Sequence, residues 1–328
     1  MGPRQHIARL RRDRLARRNH HPGHLARPVR SVGRPVPHPP RLHPGRRIDH
    51  RIRGDQLPRL LGVGRADHRQ GGKQSANRTT HGSSLPVARP DASISTAARH
   101  ASAFAALELL NRGRQFPQVA GWRIKGAAFA LLYFALATYA PLFWDGWLGQ
   151  YRLFAADTLP LWQQLLGGFF TLEFGIYTWH RSMHNTPFLW RWFHQMHHSA
   201  ERVDIWGALY FHPLDTLGFT MVGSLALVVG FGISAEPAII INVVATFMGM
   251  FQHANIRTPC WLGYIVQRPK SYTLHHERGV HARNYGDLPL FDLIFGTFAN
   301  PAEADKQVGF HDGGSKQVGA LLAGRLIA

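Results

Sequence analysis

Four long apolar segments place the strongest constraint on what this chain can fold into. They cover residues 126–144, 159–179, 214–233 and 237–252. An α-helix rises about 1.5 Å per residue, so roughly 20 apolar residues cross a hydrocarbon core about 30 Å thick. The sequence therefore predicts an all-α integral membrane protein with about four transmembrane helices.

Basic residues flank these segments unevenly. Arg123 and Lys125 precede the first segment, and further arginines follow the second and the fourth, whereas the short loop between the first two has only Arg152. Cytoplasmic loops carry an excess of Lys and Arg, so we expect both termini in the cytoplasm. In a bacterium the protein would lie in the inner membrane.

The first hundred residues differ in composition from the rest. Residues 1–100 contain 22 Lys and Arg against 5 Asp and Glu, whereas residues 101–328 contain 16 against 14. The leader is rich in Arg, Pro and His and lacks apolar periodicity, which predicts disorder. Such a leader could bind nucleic acid or serve as a targeting segment, but we expect a non-folding extension, translated from a start codon placed too far upstream. No nucleic-acid partner is expected.

The folded part is expected to be a membrane domain over residues 101–305, followed by a C-terminal tail over residues 306–328. Histidines within this domain form dense groups. His180 and His184 are four residues apart, and His194, His197 and His198 follow closely, at spacings that share one face of a helix. A further pair comes later in the chain, with two single histidines between: His275, His276, His212 and His253.

An even number of crossings separates the first histidine group from the last, so both are expected in one cytosolic, histidine-rich helical cap. A tetrahedral zinc site uses about three or four protein ligands, so this many imidazoles are too many for one ion. Two metal ions are the economical inference. An all-histidine pair without thiolates suits redox iron better than structural zinc.

These motifs resemble the fatty acid hydroxylase/sterol desaturase superfamily of membrane-bound di-iron oxygenases. The resemblance covers about residues 160–300 and includes the histidine motifs, Tyr210-Phe-His-Pro-Leu-Asp215, Asn284-Tyr-Gly286 and Phe295-Gly-Thr297. It implies two iron ions, O2 as co-substrate, and hydroxylation or desaturation of a lipid C–H bond. It also implies nine metal ligands: His180, His184, His194, His197, His198, His212, His253, His275 and His276.

One position departs from the family pattern. The last motif of the family is His-x2-His-His, and this chain has Tyr272 where the first of these histidines stands. A phenol, with a pKa near 10, is a poorer ligand at neutral pH than imidazole. Four readings stay open: Tyr272 ligates as phenolate, His281 substitutes, the site is lesioned, or it works one ligand short.

Two carboxylates are candidate outer partners of the metal ligands. Glu173 lies two helical turns before His180, and Asp215 lies three residues after His212. Each could accept a ligand's ring N–H, which orients the imidazole. The alternatives are a helix-packing hydrogen bond for Glu173 and a helix N-cap for Asp215.

Two functions from different classes are predicted. The first is a lipid hydroxylase or desaturase that acts on a sterol, fatty acyl chain or related lipid. This chain contains no flavin, haem or iron–sulfur motif, so electrons would come from a ferredoxin or a cytochrome b5-type protein with its reductase. The alternative is a non-catalytic membrane metal-binding or scaffold protein, impaired at Tyr272.

Overall fold

The computed structural model describes residues 90–327, which fold almost entirely into helices. Among these residues the only β-pairings are two isolated bridges, Arg112 with Ile256 and Glu277 with Val308. Eleven α-helices follow in chain order: α1 Pro90–Leu110, α2 Trp122–Tyr139, α3 Pro141–Leu148, α4 Leu161–Asn185, α5 Pro187–Leu189, α6 Gln195–His198, α7 Pro213–Ser224, α8 Ala235–His253, α9 Pro269–His275, α10 Pro289–Ile294 and α11 Val318–Leu322.

Shorter helical segments join or extend these helices. Two are π-helical, Trp190–His194 before α6 and Leu225–Phe231 after α7. Four are 3₁₀ turns: Gly149–Tyr151, Ala156–Thr158, Cys260–Tyr264 and Gly314–Lys316. A π-helix shifts the angular register of the side chains that follow it. That shift matters at the first of them, because it lies between histidines.

Three helical stretches within residues 90–327 are long and apolar enough to cross a membrane, rather than the four that we predicted. They are Trp122–Tyr151, Pro213–Phe231 and Ala235–His253. The predicted second span lies in α4, which has 25 residues. Its glutamines, Glu173 and two histidines make α4 less apolar than the other three.

Helix α4 lies at the centre of the helical bundle. Its Leu172 packs in one buried cluster with Leu227, Ile233 and Ile241, so α4 contacts both of the last two apolar stretches. Gly168 allows this approach, since a Cβ at that position would lie 2.8 Å from the δ-carbon of Ile241. The polar residues of α4 are therefore shielded by protein on several sides.

Helix α1 begins inside the stretch that the sequence assigned to the leader. Residues 1–89 lie outside the described residues, and residues 90–100 are helical. Phe104 packs against Phe247 of α8, with ring centroids 5.2 Å apart. The Glu108 carboxylate accepts the backbone N–H groups of Ile205 and Asn255, both at 2.7 Å. The end of α1 therefore holds the segments around Ile205 and Asn255 in place.

The C-terminal segment, for which the sequence predicted a tail over residues 306–328, packs in part against the rest of the protein. Leu321 is fully buried in a cluster with Trp122, Met196 and Tyr210. The Gln195 amide donates to the carbonyl of Arg325 at 2.9 Å. This contact could not be predicted, because a five-residue helix has too little periodicity to show which surface it covers.

Candidate metal centre

The first histidines of the site lie at the C-terminal end of α4. His180 and His184 are one turn apart, and their ring centroids are 5.0 Å apart. The segment that follows changes from π-helix to α-helix at Gln195. In it His194 and His198 share one face of the helix. The side chain of His197 is rotated by about 100° from that of its neighbour His198 and points elsewhere.

The side chains converge into two groups. In each group, one potential ligand atom per residue lies within 4.8 Å of the corresponding atoms of the others. We call the larger set the five-histidine group: His180, His184, His194, His198 and His275. We call the smaller set the three-histidine group: His197, His253 and His276.

The two groups adjoin one another. The rings of His198 and His276, one from each group, are stacked with centroids 4.1 Å apart. The adjacent residues His275 and His276 belong to different groups, as do His197 and His198. The histidine motifs that lie far apart in the sequence therefore meet in space.

Several buried ring nitrogens of these histidines have no hydrogen-bond partner. In the five-histidine group they are the Nε2 atoms of His184, His198 and His275. In the three-histidine group both ring nitrogens of His276 lack a partner. Because buried polar atoms are normally satisfied, such a set of imidazole nitrogens fits a pair of metal ions.

Two pairs of ring nitrogens approach each other closely. Nε2 of His180 lies 2.9 Å from Nε2 of His194 in the five-histidine group. Nε2 of His253 lies 2.9 Å from Nε2 of His197 in the three-histidine group. In each pair the two nitrogens are close enough to bind one metal ion.

Hydrogen bonds on the far side of the rings orient three members of the five-histidine group. Nδ1 of His180 donates to the carbonyl of Tyr285 at 2.8 Å, and Nδ1 of His275 donates to that of Arg283 at 2.6 Å. Nδ1 of His194 lies 2.8 Å from Oδ2 of Asp215. Such bonds leave Nε2 as the free, ligating nitrogen.

The carbonyl partners belong to a loop with unusual backbone angles. His281, Arg283 and Asn284 have φ values of 42°, 73° and 50°, in the left-handed region that non-glycine residues rarely adopt. The Asn284 amide donates to the carbonyls of Ser271 and Ala299, both at 2.9 Å. These bonds hold the loop in its strained form, which places the Arg283 carbonyl against His275.

Burial keeps four of these histidines neutral. It lowers the pKa of His197, His198, His275 and His276 well below the ordinary value, because a charged imidazole would lose its hydration. Neighbouring histidines lower each pKa further by repulsion between like charges. Neutral imidazole is the form that binds metal ions.

His212 lies outside both groups, contrary to the prediction that it is a ligand. Its Nδ1 accepts the backbone N–H of Leu214 at 3.0 Å, so it caps the N-terminus of α7. Its Nε2 lies 3.3 Å from the carbonyl of Leu322. Of these two residues, His212 makes the cap, and Asp215 contacts His194 of the five-histidine group, where an outer partner of a ligand would lie.

Tyr272 is buried at the edge of the three-histidine group. Its ring centroid lies 4.5 Å from that of His253 and 5.2 Å from that of His276. It also stacks on His275 at 4.7 Å. Burial raises the pKa of its phenol well above the ordinary value, so the hydroxyl is protonated at neutral pH.

His281 does not occupy the space beside Tyr272. Its Nδ1 lies 3.1 Å from Nδ1 of His198, on the side of the five-histidine group. Its ring also contacts Trp190, with centroids 5.6 Å apart. Substitution of His281 for the missing histidine of the three-histidine group is therefore not supported by its position.

Glu173 has no hydrogen bond to a histidine. Its Oε2 accepts the backbone N–H of Leu288 at 3.0 Å, and its Oε1 is buried without a partner. Although Glu173 shares the helix with His180, the ring of His180 is held by a backbone carbonyl instead. The alternative of a packing hydrogen bond describes Glu173 better.

Aromatic rings that the sequence did not assign to the site enclose the histidines. Phe211 stacks on His197 with centroids 4.3 Å apart, and Phe219 lies 6.0 Å from His180. The ring of Trp190 also lies against His198, with centroids 5.2 Å apart. Trp190 precedes His194 by one helical turn, and this spacing was the only indication in the sequence that Trp190 lies near the site.

Comparisons with known proteins identify a family and several relatives with similar sequences. The family model described as fatty acid hydroxylase matches residues 165–297. The ornithine lipid hydroxylase of Rhizobium tropici is 33% identical over 159 residues, which cover 47% of each chain. The Δ7-sterol-C5(6)-desaturase of Nicotiana tabacum is 30% identical over 49% of this chain and 54% of its own.

Sphinganine C4-monooxygenase 1 of Arabidopsis thaliana is 28% identical over 48% of this chain and 60% of its own. The matches thus span about half the length of these curated relatives. No solved structure is significantly similar to the chain. The relatives are named for hydroxylation and desaturation of different lipids. Residues 165–297, which match the family model, contain both histidine groups.

Proposed function

The chain belongs to the fatty acid hydroxylase/sterol desaturase superfamily, and from that premise we propose that it oxidises a lipid C–H bond with O2 at a histidine-ligated di-iron centre. The observation that carries the proposal is the meeting of eight histidines in two adjoining groups. Bound iron would supply the activation of dioxygen. Hydroxylation would consume the lipid, one O2, two electrons and two protons, and would give the alcohol and water.

The residues around the groups have three tasks in this proposal. The neutral imidazoles bind the metal ions through nitrogens that have no other partner. Asp215 and the carbonyls of Tyr285 and Arg283 orient three of the rings. Phe211 and Phe219 exclude water from one side of the histidines, which limits loss of reactive oxygen species to solvent.

The electrons would come from an external one-electron donor, a ferredoxin or a cytochrome b5-type protein. The substrate would be a membrane lipid, because three helical stretches of the described residues are apolar enough to cross a membrane, and the last of them ends at His253 of the three-histidine group. By their names, the relatives act on an ornithine lipid, a sphingoid base and a sterol. Because these are three different lipid classes, the substrate class has to be determined by experiment.

The test is oxidation of lipid by the purified protein. The protein in detergent, loaded with iron and supplied with a reductase, a donor and total membrane lipid, is incubated under ¹⁸O₂. We expect either a lipid that gains one ¹⁸O atom or one that loses two hydrogens. The control is the same protein with His253→Ala and His276→Ala. A metal-loaded protein that yields no oxygen-dependent lipid product contradicts the proposal.

That negative result would instead support the non-catalytic metal-binding or scaffold function. Tyr272 is the observation that favours this second candidate, since it replaces an imidazole beside the three-histidine group. Under it, iron binding persists while the protein consumes no oxygen in the presence of lipid and reductant.

The histidine groups are proposed to face the cytoplasm, with the protein in a bacterial inner membrane. Cys260, the single cysteine of the chain, is exposed in the cap and reports the orientation. A membrane-impermeant maleimide should label Cys260 in inverted inner-membrane vesicles and not in intact spheroplasts. Labelling of intact spheroplasts would place the cap on the opposite side.

A further inference from the structure

The two histidine groups offer unequal numbers of ligands. We propose that the five-histidine group binds its metal ion firmly, whereas the three-histidine group binds a second ion more weakly and keeps an exchangeable position for a small ligand. The difference is caused by Tyr272, which lies where the family pattern has a histidine. This inference rests on the proposed metal centre, but it concerns metal binding and not lipid chemistry.

The first argument is the count of donors. Three imidazoles converge in the three-histidine group, and no other histidine in residues 90–327 joins them within ligand distance. Three protein ligands with an open position are typical of metal sites that exchange a ligand, whereas closed sites use four or more. The five-histidine group has donors enough for a closed or nearly closed site.

The second argument is the support behind the rings. In the five-histidine group, a carbonyl or carboxylate fixes His180, His194 and His275 from behind. In the three-histidine group only His253 has such a partner, since its Nδ1 donates to the carbonyl of Gly249 at 2.6 Å. Nδ1 of His197 faces the backbone of Tyr210 without a hydrogen bond of normal geometry, and both ring nitrogens of His276 have no partner. Rings without outer partners are less preorganised as ligands.

The third argument is the place of Tyr272. Its ring packs within 4.5 Å of the His253 ring and 5.2 Å of the His276 ring, measured between centroids. Tyr272 therefore fills the space from which a fourth imidazole would reach the metal. The exchangeable position beside it would accept a small donor such as water or azide.

The experiment is a titration of the detergent-purified, metal-free protein with cobalt(II), followed by its absorption spectrum and by calorimetry. We expect two binding steps, with the second weaker than the first by about tenfold or more. Azide should perturb the spectrum only after the second step. Two steps of equal affinity, or a spectrum that azide leaves unchanged, would overturn the inference.

Substitutions of Tyr272 assign the weaker step. Tyr272→His should tighten the second step and leave the first unchanged, because it restores the missing imidazole. Tyr272→Ala should bind the second ion more tightly when free imidazole is added, since the shortened side chain leaves room for it. No change in the second step with either variant would contradict the assignment.

Tyr272→Phe separates an unliganded phenol from a phenolate ligand. It keeps the ring and removes the hydroxyl, so we expect the titration of the wild-type protein. Loss of the second step would mean that the phenolate binds metal, and would overturn the inference. Tyr285→Phe is the matched control, because the Tyr285 ring lies beside His184 of the five-histidine group, with ring centroids 5.3 Å apart. It should leave the second step unchanged.

The design separates this inference from the proposed function. If Tyr272→His misfolds, the two-step titration and the azide response of the wild-type protein still decide the question. If the protein binds two cobalt ions unequally but oxidises no lipid, the proposed function fails and the inference stands. If it oxidises lipid with two equivalent ions, the inference fails alone.

Discussion

The two histidine groups are neighbours, yet they are built differently. Three of the five histidines in the larger group are held from behind by Tyr285, Arg283 and Asp215. In the smaller group one histidine of three is held in this way. The difference teaches that ligand spacing in sequence specifies which residues meet, while the surrounding hydrogen bonds specify how firmly they are positioned.

Removal of one ligand from each group gives the largest expected contrast. His253→Ala leaves two imidazoles in the three-histidine group, so about one metal ion per chain should remain and lipid oxidation should fall to background. His198→Ala leaves four imidazoles in the five-histidine group, so binding there should weaken without being lost. Metal content by elemental analysis checks both variants. Equal losses from the two variants would contradict the difference between the groups.

Substitution of the outer partner should have a smaller effect. Asp215→Ala removes the acceptor of the His194 ring and should reduce metal affinity at the five-histidine group about 10- to 100-fold. Asp215→Asn retains an oxygen acceptor and should lose less. Glu173→Ala is the control, because Glu173 is equally buried but hydrogen-bonds to Leu288. Metal titration of all three variants measures this. A loss with Glu173→Ala as large as that with Asp215→Ala would show that burial, and not the contact with His194, matters.

The smallest effect is expected at His212. His212→Ala removes the N-cap of α7 and should lower the free energy of unfolding by about 0.5–2 kcal/mol, with both metal ions retained. His212→Asn should recover most of the loss, since Asn is a good N-cap. Chemical denaturation in detergent, with metal content measured in parallel, checks both. Loss of metal with His212→Asn would make His212 a ligand after all.

Much of the site could be predicted from the sequence because the histidines lie at helical spacings. His180 with His184, and His194 with His198, share faces that short-range geometry defines. The assignment of His197 to a different group could not be predicted, because it depends on the rotation along α6 and on the packing of α8 and α9. The N-cap role of His212 and the contact of Asp215 with His194 likewise depend on where α7 begins.

The membrane-spanning helices were predictable where the length of an apolar segment is enough to define them. The segments 214–233 and 237–252 correspond closely to Pro213–Phe231 and Ala235–His253. Helix α4 was harder, because its polar residues face neighbouring protein, and hydropathy measures only composition. The packing of Leu321 and the strained loop at His281 and Arg283 were beyond prediction, because both are specified by tertiary contacts.

The most direct test of the account is anomalous diffraction at the iron edge from crystals of the iron-loaded protein. The account predicts two peaks, one among the nitrogens of the five-histidine group and a second, of lower occupancy, among His197, His253 and His276. A single peak shared by both groups, or two peaks away from these histidines, would contradict it.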